Sequence, residues 1–403
     1  MGLLRFGKAG FSFWRLRVRL GGILKREAGP IRWSRWLEID LGALRANLRA
    51  LKGLLPPETA LLPVVKSEAY GHGLVEVARV LAQEGVYGFG ISEPEEAFRL
   101  RRAGLALPIL LLSGFERHWL PEIVQLRLIP AVASVKMLEA VADFTRKKAL
   151  SLEIHLKLET GMHRLGIAPQ EVPRALEILK ANPQLQVTGL MTHLAAAENP
   201  EDPLTREQIA LFEELKRKIL SQGLSGIRFF HLANSGGIIF LRGAGGNLVR
   251  PGLSLYGAYP SFRARAYVKL KPVMTLKARV LEVKEVPAGG AVGYGPLYRA
   301  RKRERLALVP VGYDDGYPRA LSNKGFAVLR GQRVPLRGAV SMRTLALGVS
   351  GLEPPVNPGE EVLLLGGPKE EVPADELAQL AGTISYELFC RLGKSLERRY
   401  RDV

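Results

Sequence analysis

Between Trp36 and about residue 262 the chain alternates short apolar runs with helical stretches, and this rhythm limits what it can fold into. Strand-like runs fall at 62–67, 87–92, 108–113, 128–133, 152–159, 187–193, 229–235 and 247–255. Most of the gaps carry helical periodicity, as at 170–180 and 205–222. Ahead of the first run, Leu41, Leu44, Leu48, Leu51 and Leu55 repeat at three- and four-residue spacing, one face of a helix, and Asp40 is placed to cap it. Eight βα units in about 225 residues match the count of a TIM (β/α)8 barrel. A doubly wound sheet is the other candidate. It usually carries a glycine-rich fingerprint after its first strand, where this chain reads Val-Lys-Ser-Glu-Ala-Tyr-Gly-His-Gly.

Beyond about 262 the helical period disappears until residue 375. The runs 273–286, 305–311, 326–329, 339–349 and 361–365 are strand-like and separated by glycine and proline, with short helices expected at 375–381 and 386–392. The expected organisation is an α/β barrel over 34–262, a mostly β domain over 263–403, and a basic N-terminal extension over 1–33. That extension reads as a disordered tail, as sequence upstream of the true start, or as a surface helix for anionic lipid. Residues 1–35 hold a net +8 of the chain's +19, so the charge does not demand a uniformly basic surface for nucleic acid. The single cysteine, Cys390, excludes an internal disulfide and suits a reducing, cytoplasmic compartment. CxxC and HExxH are both absent, which removes the common zinc motifs. The most apolar stretch, 105–113, is far shorter than the roughly 18–20 residues of a membrane-spanning helix.

In such a barrel, chemistry sits at the C-terminal ends of the strands. Lys66 ends the first run and His193 the sixth. His231, Asn234 and Ser235 crowd the end of the seventh, and Arg250 lies in the eighth. The run 152–159 is the most informative. Ile154, Leu156 and Leu158 alternate with Glu153, His155, Lys157 and Glu159, so one face is apolar and the other is fully polar. Charge inside a barrel is costly unless paired or bound to something. Either an internal ion-pair network or a buried polar cofactor satisfies that requirement.

The segment 64–73, Val-Val-Lys-Ser-Glu-Ala-Tyr-Gly-His-Gly, is similar to the cofactor-lysine motif of the alanine racemases. The resemblance continues through 157–166, Lys-Leu-Glu-Thr-Gly-Met-His-Arg-Leu-Gly, then 231–235, 250–252, 292–295, 312–317 and 384–387, and spans about 34–403. Those enzymes use pyridoxal phosphate on a barrel followed by a β domain. The resemblance implies that Lys66 holds the cofactor aldehyde. It gives the cofactor phosphate to Tyr70, Ser235, Tyr386 and the amides around Gly252 and Leu253, with Asn234 and His193 also at the cofactor. Arg250 matches the arginine at the pyridine nitrogen, where a permanent cation opposes ring protonation and so favours return of a proton to Cα over transamination.

Racemisation needs an acid–base group on each face of Cα. By resemblance these are Lys66 and Tyr294, the latter supplied by the partner in a head-to-tail homodimer, with His193 behind the tyrosine. Arg164 matches a contact to the cofactor phenolate oxygen and the substrate carboxylate, and Tyr313 and Met342 match other substrate contacts. Lys157 is either carbamylated, as in the family, or an ammonium paired with Glu159. The implied product, D-alanine, would feed peptidoglycan.

The family's Arg-x-x-x-Asp around its methionine reads Ala339-Val340-Ser341-Met342-Arg343 here, so the arginine is missing and the aspartate has become arginine. On a strand 339, 341 and 343 face one way. Arg343 is therefore expected to restore positive charge at a substrate entrance, beside Arg319. A broader amino-acid racemase of the same build is a rival; its periplasmic forms tend to carry a signal peptide and paired cysteines. A non-catalytic pyridoxal-phosphate carrier resembles a barrel alone, and a decarboxylase of this fold would show a cysteine–aspartate motif near the C-terminus.

Overall fold

Asp40 starts the first helix as the spacing predicts: its carboxylate accepts from the Ala43 amide at 2.7 Å, and Leu44, Leu48 and Leu51 are buried along one face of Leu41–Lys52. The computed structural model describes residues 34–224, 226–241 and 245–402, and the expected N-terminal extension lies outside them. The strands, in chain order, are β1 (Arg35–Asp40), β2 (Ala60–Leu61), β3 (Phe89–Ile91), β4 (Ile109–Leu111), β5 (Leu128–Val132), β6 (Leu152–Lys157), β7 (Leu185–Met191), β8 (Phe229–His231) and β9 (Leu248–Val249). The second half adds β10 (Met274–Arg279), β11 (Glu282–Val286), β12 (Glu304–Val309), β13 (Phe326–Leu329), β14 (Gln332–Pro335), β15 (Leu345–Gly348), β16 (Glu361–Leu365) and β17 (Arg398–Arg401).

Strands β3 to β8 form one parallel sheet in sequence order, and β2 pairs β9 in parallel. Backbone hydrogen bonds join the two pieces into a ring. Tyr87 and Gly90 donate to Leu61 and Pro63 on one side, and Asn247 donates to the Phe230 carbonyl on the other. Eight barrel strands are present, closed as a barrel; seven overlap the expected runs, and β2 lies just ahead of the expected 62–67. Closure uses glycine: a Cβ on Gly246, at φ +91°, would lie 1.9 Å from the Phe230 oxygen.

The polar-face reading of the fifth barrel strand holds for its middle. Ile154, Leu156 and Leu158 join the large apolar core, while His155 and Lys157 are buried within the barrel. Glu153 and Glu159 do not follow them. Glu153 pairs with Arg228 at 3.2 Å, and Glu159 accepts from the Met162 amide at 2.7 Å.

The second half is mostly β, in sheets ordered β14-β13-β16-β10-β1-β17 and β11-β12-β15. β1, the first strand of the described chain, belongs here: it runs antiparallel to β10 and parallel to β17. The expected run 273–286 is two strands broken at Val280–Leu281, and only Leu345–Gly348 of 339–349 is strand. The helices Ala374–Ala381 and Ser385–Ser395 lie close to where the periodicity put them. No helix among the described residues is long and apolar enough to cross a membrane.

Candidate active site

The first barrel strand lies ahead of its expected run, 62–67. Regular pairing ends at Leu61, and after Lys66 four non-glycine residues in succession, Ser67 to Tyr70, sit at φ between 51° and 58°. Left-handed backbone costs roughly 1–2 kcal/mol per residue, so this turn persists only because its surroundings hold it. Glu96 accepts from the Ser67 amide, and Glu68 pairs with Arg99. Arg398, from β17, donates to the Gly71 carbonyl at 2.8 Å. The turn also packs backbone to backbone on helix Ser385–Ser395: a Cβ on Gly393 would meet Gly71 Cα at 2.2 Å. The second half of the chain thereby seats the lysine turn.

Lys66 and Tyr70 line a cavity of about 610 Å³ at the C-terminal end of the barrel. Lys157, Arg164, His193, Asn234, Ser235, Arg250, Gly252, Leu253 and Tyr386 also line it, so eleven of the fourteen expected site residues converge there. The volume suits a small ligand. The cavity is cationic. Burial, then Arg164, lowers the Lys66 amine from its usual range. Burial and the charges of Arg250, Arg164 and Lys66 bring Lys157 down to about 8. Burial and the same cations hold His193 neutral, well below the usual imidazole range.

Arg250 is 3% exposed and lies just past β9. Its two terminal nitrogens donate to the His231, Thr192 and Leu232 carbonyls and to His231 Nδ1, at 2.8–3.1 Å. His193 Nδ1 lies 3.4 Å away. Among the described residues these bonds leave Nε without a partner while the side chain reaches the cavity wall. Burial lowers the guanidinium only to about 10, so it remains a cation at neutral pH. Also in the cavity lining, Ser235 Oγ accepts from the Gly252 and Ser254 amides at 3.1 and 3.2 Å, which leaves its proton to donate. Tyr70 packs its ring at a tilt against Tyr256 and Tyr386, with centroids 4.9 and 5.6 Å away. Burial raises both cavity phenols, Tyr386 to about 12, so they remain neutral donors.

Several expectations change. Ser235 does not end a strand; it begins the helix Ser235–Leu241, and Asn234 Oδ1 accepts from the Gly237 amide at 3.0 Å. His231 turns into the barrel interior, 0% exposed. Lys157 and Glu159 form no ion pair among the described residues. Tyr313 and Met342 do not line the cavity, and neither does Tyr294, which the resemblance gives to a partner's site; Tyr294, Tyr313 and Met342 are 78%, 43% and 56% exposed. They belong to one face of the second half. The Tyr313 and Asp314 amides donate to the Ser341 and Met342 carbonyls at 3.1 and 3.0 Å, and Gly293, beside Tyr294, packs on Ala339.

Arg343 is not a free cation on a strand. Its segment is a turn, and its guanidinium pairs with Asp314 at 3.2 Å and lies 3.8 Å from buried Asp315, which Arg35 also holds at 2.7 Å. The positive charge expected of Arg343 is therefore offset by these two carboxylates. Cys390 and Ser113 also line the cavity. Cys390 follows Tyr386 by one helical turn, a periodicity visible in the sequence; Ser113 ends an apolar run with no other signal.

The residues present fit pyridoxal phosphate. Neutral hydroxyl donors and a backbone cradle suit its phosphate, an amine of lowered basicity suits its aldehyde, and the unused Arg250 Nε–H suits its ring nitrogen. Family models agree with this arrangement: "Alanine racemase, N-terminal domain" matches residues 39–260 and "Alanine racemase, C-terminal domain" matches 273–400. An alanine racemase of Syntrophobacter fumaroxidans is 39% identical over 368 residues, covering 91% of this chain and 97% of that one. The structure of the alanine racemase of Streptomyces coelicolor A3(2) superposes with a TM-score of 0.86 at 35% identity, covering 92% of this chain and 98% of that one. That of Bartonella henselae, described with covalently bound pyridoxal phosphate, gives 0.83 at 29% identity, covering 92% and 100%. With both family domains matched in order along the chain, this chain belongs to the alanine racemase family.

Proposed function

We propose that the protein is a cytoplasmic, pyridoxal-phosphate-dependent alanine racemase. It interconverts L- and D-alanine and supplies D-alanine for peptidoglycan. The convergence of Lys66, Arg250 and the Ser235–Gly252 cradle on one cavity carries this reading. When bound, the cofactor supplies an electron sink that acidifies the substrate Cα–H. Lys66 would hold it, and its amine, of lowered basicity, would serve as the base on one face of Cα. Arg164 binds the substrate carboxylate. Arg250 would donate a hydrogen bond to the ring nitrogen without yielding its proton, which would keep the sink weak and favour return of the proton to Cα. His193, with Nδ1 facing the Arg250 donors, carries its proton on Nε2 and can donate to a phenolate.

The second base is Tyr294 of the partner subunit, in a head-to-tail homodimer. Tyr294, Tyr313 and Met342 share one exposed face, which supports a role in completing another copy's cavity rather than their own. Racemisation is tested by incubating purified protein with L-alanine, D-alanine and a panel of other amino acids and following optical rotation. Loss of rotation with alanine is expected. A preference for a different amino acid would sink the alanine assignment.

Lys157 at about pKa 8 has an appreciable fraction of neutral amine near that pH. A neutral amine adds to CO2, forming an N–C bond and releasing one proton, and the resulting carbamate anion offsets Arg164 and Arg250. After equilibration with 13C-bicarbonate at pH 8, a carbamate carbon signal is expected in the wild type and not in Lys157→Met. An identical spectrum from the two proteins would return Lys157 to an ordinary amine.

Gly252→Ala tests the cradle. An added Cβ would lie 2.7 Å from the Tyr70 hydroxyl, at the end of a side chain, so the fold should survive while the donor moves. Cofactor affinity is expected to weaken about tenfold or more, measured by titrating apoenzyme with cofactor. Unchanged affinity would remove Gly252 from the site.

A further inference from the structure

His155 is the one residue on the polar face of β6 that is buried and that the mechanism above does not use. It is 1% exposed, two residues before Lys157 and so deeper in the barrel. Its Nδ1 lies 2.8 Å from His231 Nε2, and His231 Nδ1 lies 2.9 Å from an Arg250 terminal nitrogen.

The protons in this chain have only one consistent arrangement. A guanidinium donates and cannot accept. His231 Nδ1 must therefore accept, and a neutral His231 carries its proton on Nε2. That proton is donated to His155 Nδ1, so His155 in turn carries its proton on Nε2. Burial and the Arg250 charge hold both rings neutral, His155 at about 3. The chain runs from Arg250 through His231 to His155. It ends at a His155 Nε2 that is buried without a partner among the described residues.

The fold makes room for this ring. A Cβ on Gly189, in the neighbouring strand β7, would lie 2.6 Å from His155 Nδ1 and Cε1. Glycine at that point of the strand admits an imidazole that any other residue would displace. A histidine kept here at the expense of an unpaired nitrogen, and with a glycine opposite it, is poorly explained by apolar packing alone.

We propose that His155 is a positioning residue for racemisation: its Nδ1 accepts the His231 Nε2–H and so holds the orientation of His231, and through it the Arg250 guanidinium at the ring-nitrogen end of the cavity. This rests on the reading of Arg250 given above. Without an acceptor at position 155, the His231 Nε2–H is buried unpaired, and the ring gains by turning away from Arg250. Arg250 then loses one of the acceptors that aim it. A poorly aimed Arg250 no longer keeps the ring nitrogen unprotonated. More turnovers should then follow transamination, in which alanine is oxidised to pyruvate while its amino group and two electrons stay on the cofactor.

Two measurements test this. The first is 15N NMR of histidine-labelled holoenzyme at pH 7. Both His155 and His231 should be neutral Nε2–H tautomers, and an Nδ1–H or doubly protonated ring at either position overturns the proposal, whatever the protein does to alanine. The second compares His155→Asn, which keeps an acceptor near the place of Nδ1, with His155→Leu, which does not. His155→Leu is expected to lower kcat about tenfold or more with KM within about threefold, and to raise pyruvate formed per racemisation event. His155→Asn should stay within about threefold of wild type on each. Equal losses in the two variants, or an unchanged pyruvate fraction in folded His155→Leu, would reduce His155 to a packing residue. Should His155→Leu fail to fold, the tautomer measurement alone decides. If alanine is not the substrate, the tautomer result still stands or falls by itself.

Discussion

Lys66→Ala is expected to lose racemisation by a factor of about 10⁴ or more and to lose the visible absorbance of lysine-bound cofactor. The size follows from what the side chain does. Lys66 is the lysine at the cavity wall beside Tyr70, burial has lowered its basicity, and it makes no hydrogen bond or ion pair among the described residues that would occupy it. Removing it takes away both the covalent tether and one of the two bases. Lys157 lines the same cavity but extends from the barrel wall among Arg164 and Arg250, and it should not substitute. Absorbance spectroscopy and borohydride reduction check the result. A Lys66→Ala protein that still gives a borohydride-stable cofactor adduct would place the tether elsewhere, with Lys157 the first alternative.

Tyr294→Phe should abolish most activity in both directions while leaving cofactor bound, because Tyr294 lies outside the cavity lined by Lys66 in its own chain. The stronger test is complementation. If each site draws Lys66 from one subunit and Tyr294 from the other, mixing inactive Lys66→Ala with inactive Tyr294→Phe produces hybrid dimers with one intact site and one doubly broken site. Random exchange of equal amounts makes half the dimers hybrid, so about a quarter of the wild-type site activity should return. Activity is measured after subunit exchange, itself followed by mass difference or by fluorescence transfer between labelled subunits. Complete exchange with no recovered activity would show that the site is not shared, and the exposed face carrying Tyr294, Tyr313 and Met342 would need another explanation.

The sequence by itself determined the barrel, because a βα unit is a local device. Alternating apolar runs, helix periods and a capping Asp40 are set within about thirty residues of one another, and seven of the eight barrel strands overlap the runs the pattern gave, the first alone forming just ahead of its run. It also picked out most of the cavity, since a polar side chain at a strand end is legible without knowing its neighbours. Tertiary structure decided what depends on distant partners. β1 joins the sheet of the second half because Leu37 pairs with Leu276 and Arg398, a register that no local signal encodes. The left-handed turn after Lys66 is disfavoured by its own residues and exists because Glu96, Arg398 and the Gly71–Gly393 contact hold it. Arg343 reads as a free cation in sequence, and its charge is spent on Asp314 and Asp315 only once a turn brings them together. His155 shows the same division: alternation placed it inside the barrel, but its hydrogen-bond direction follows from Arg250, 95 residues away, which can only donate.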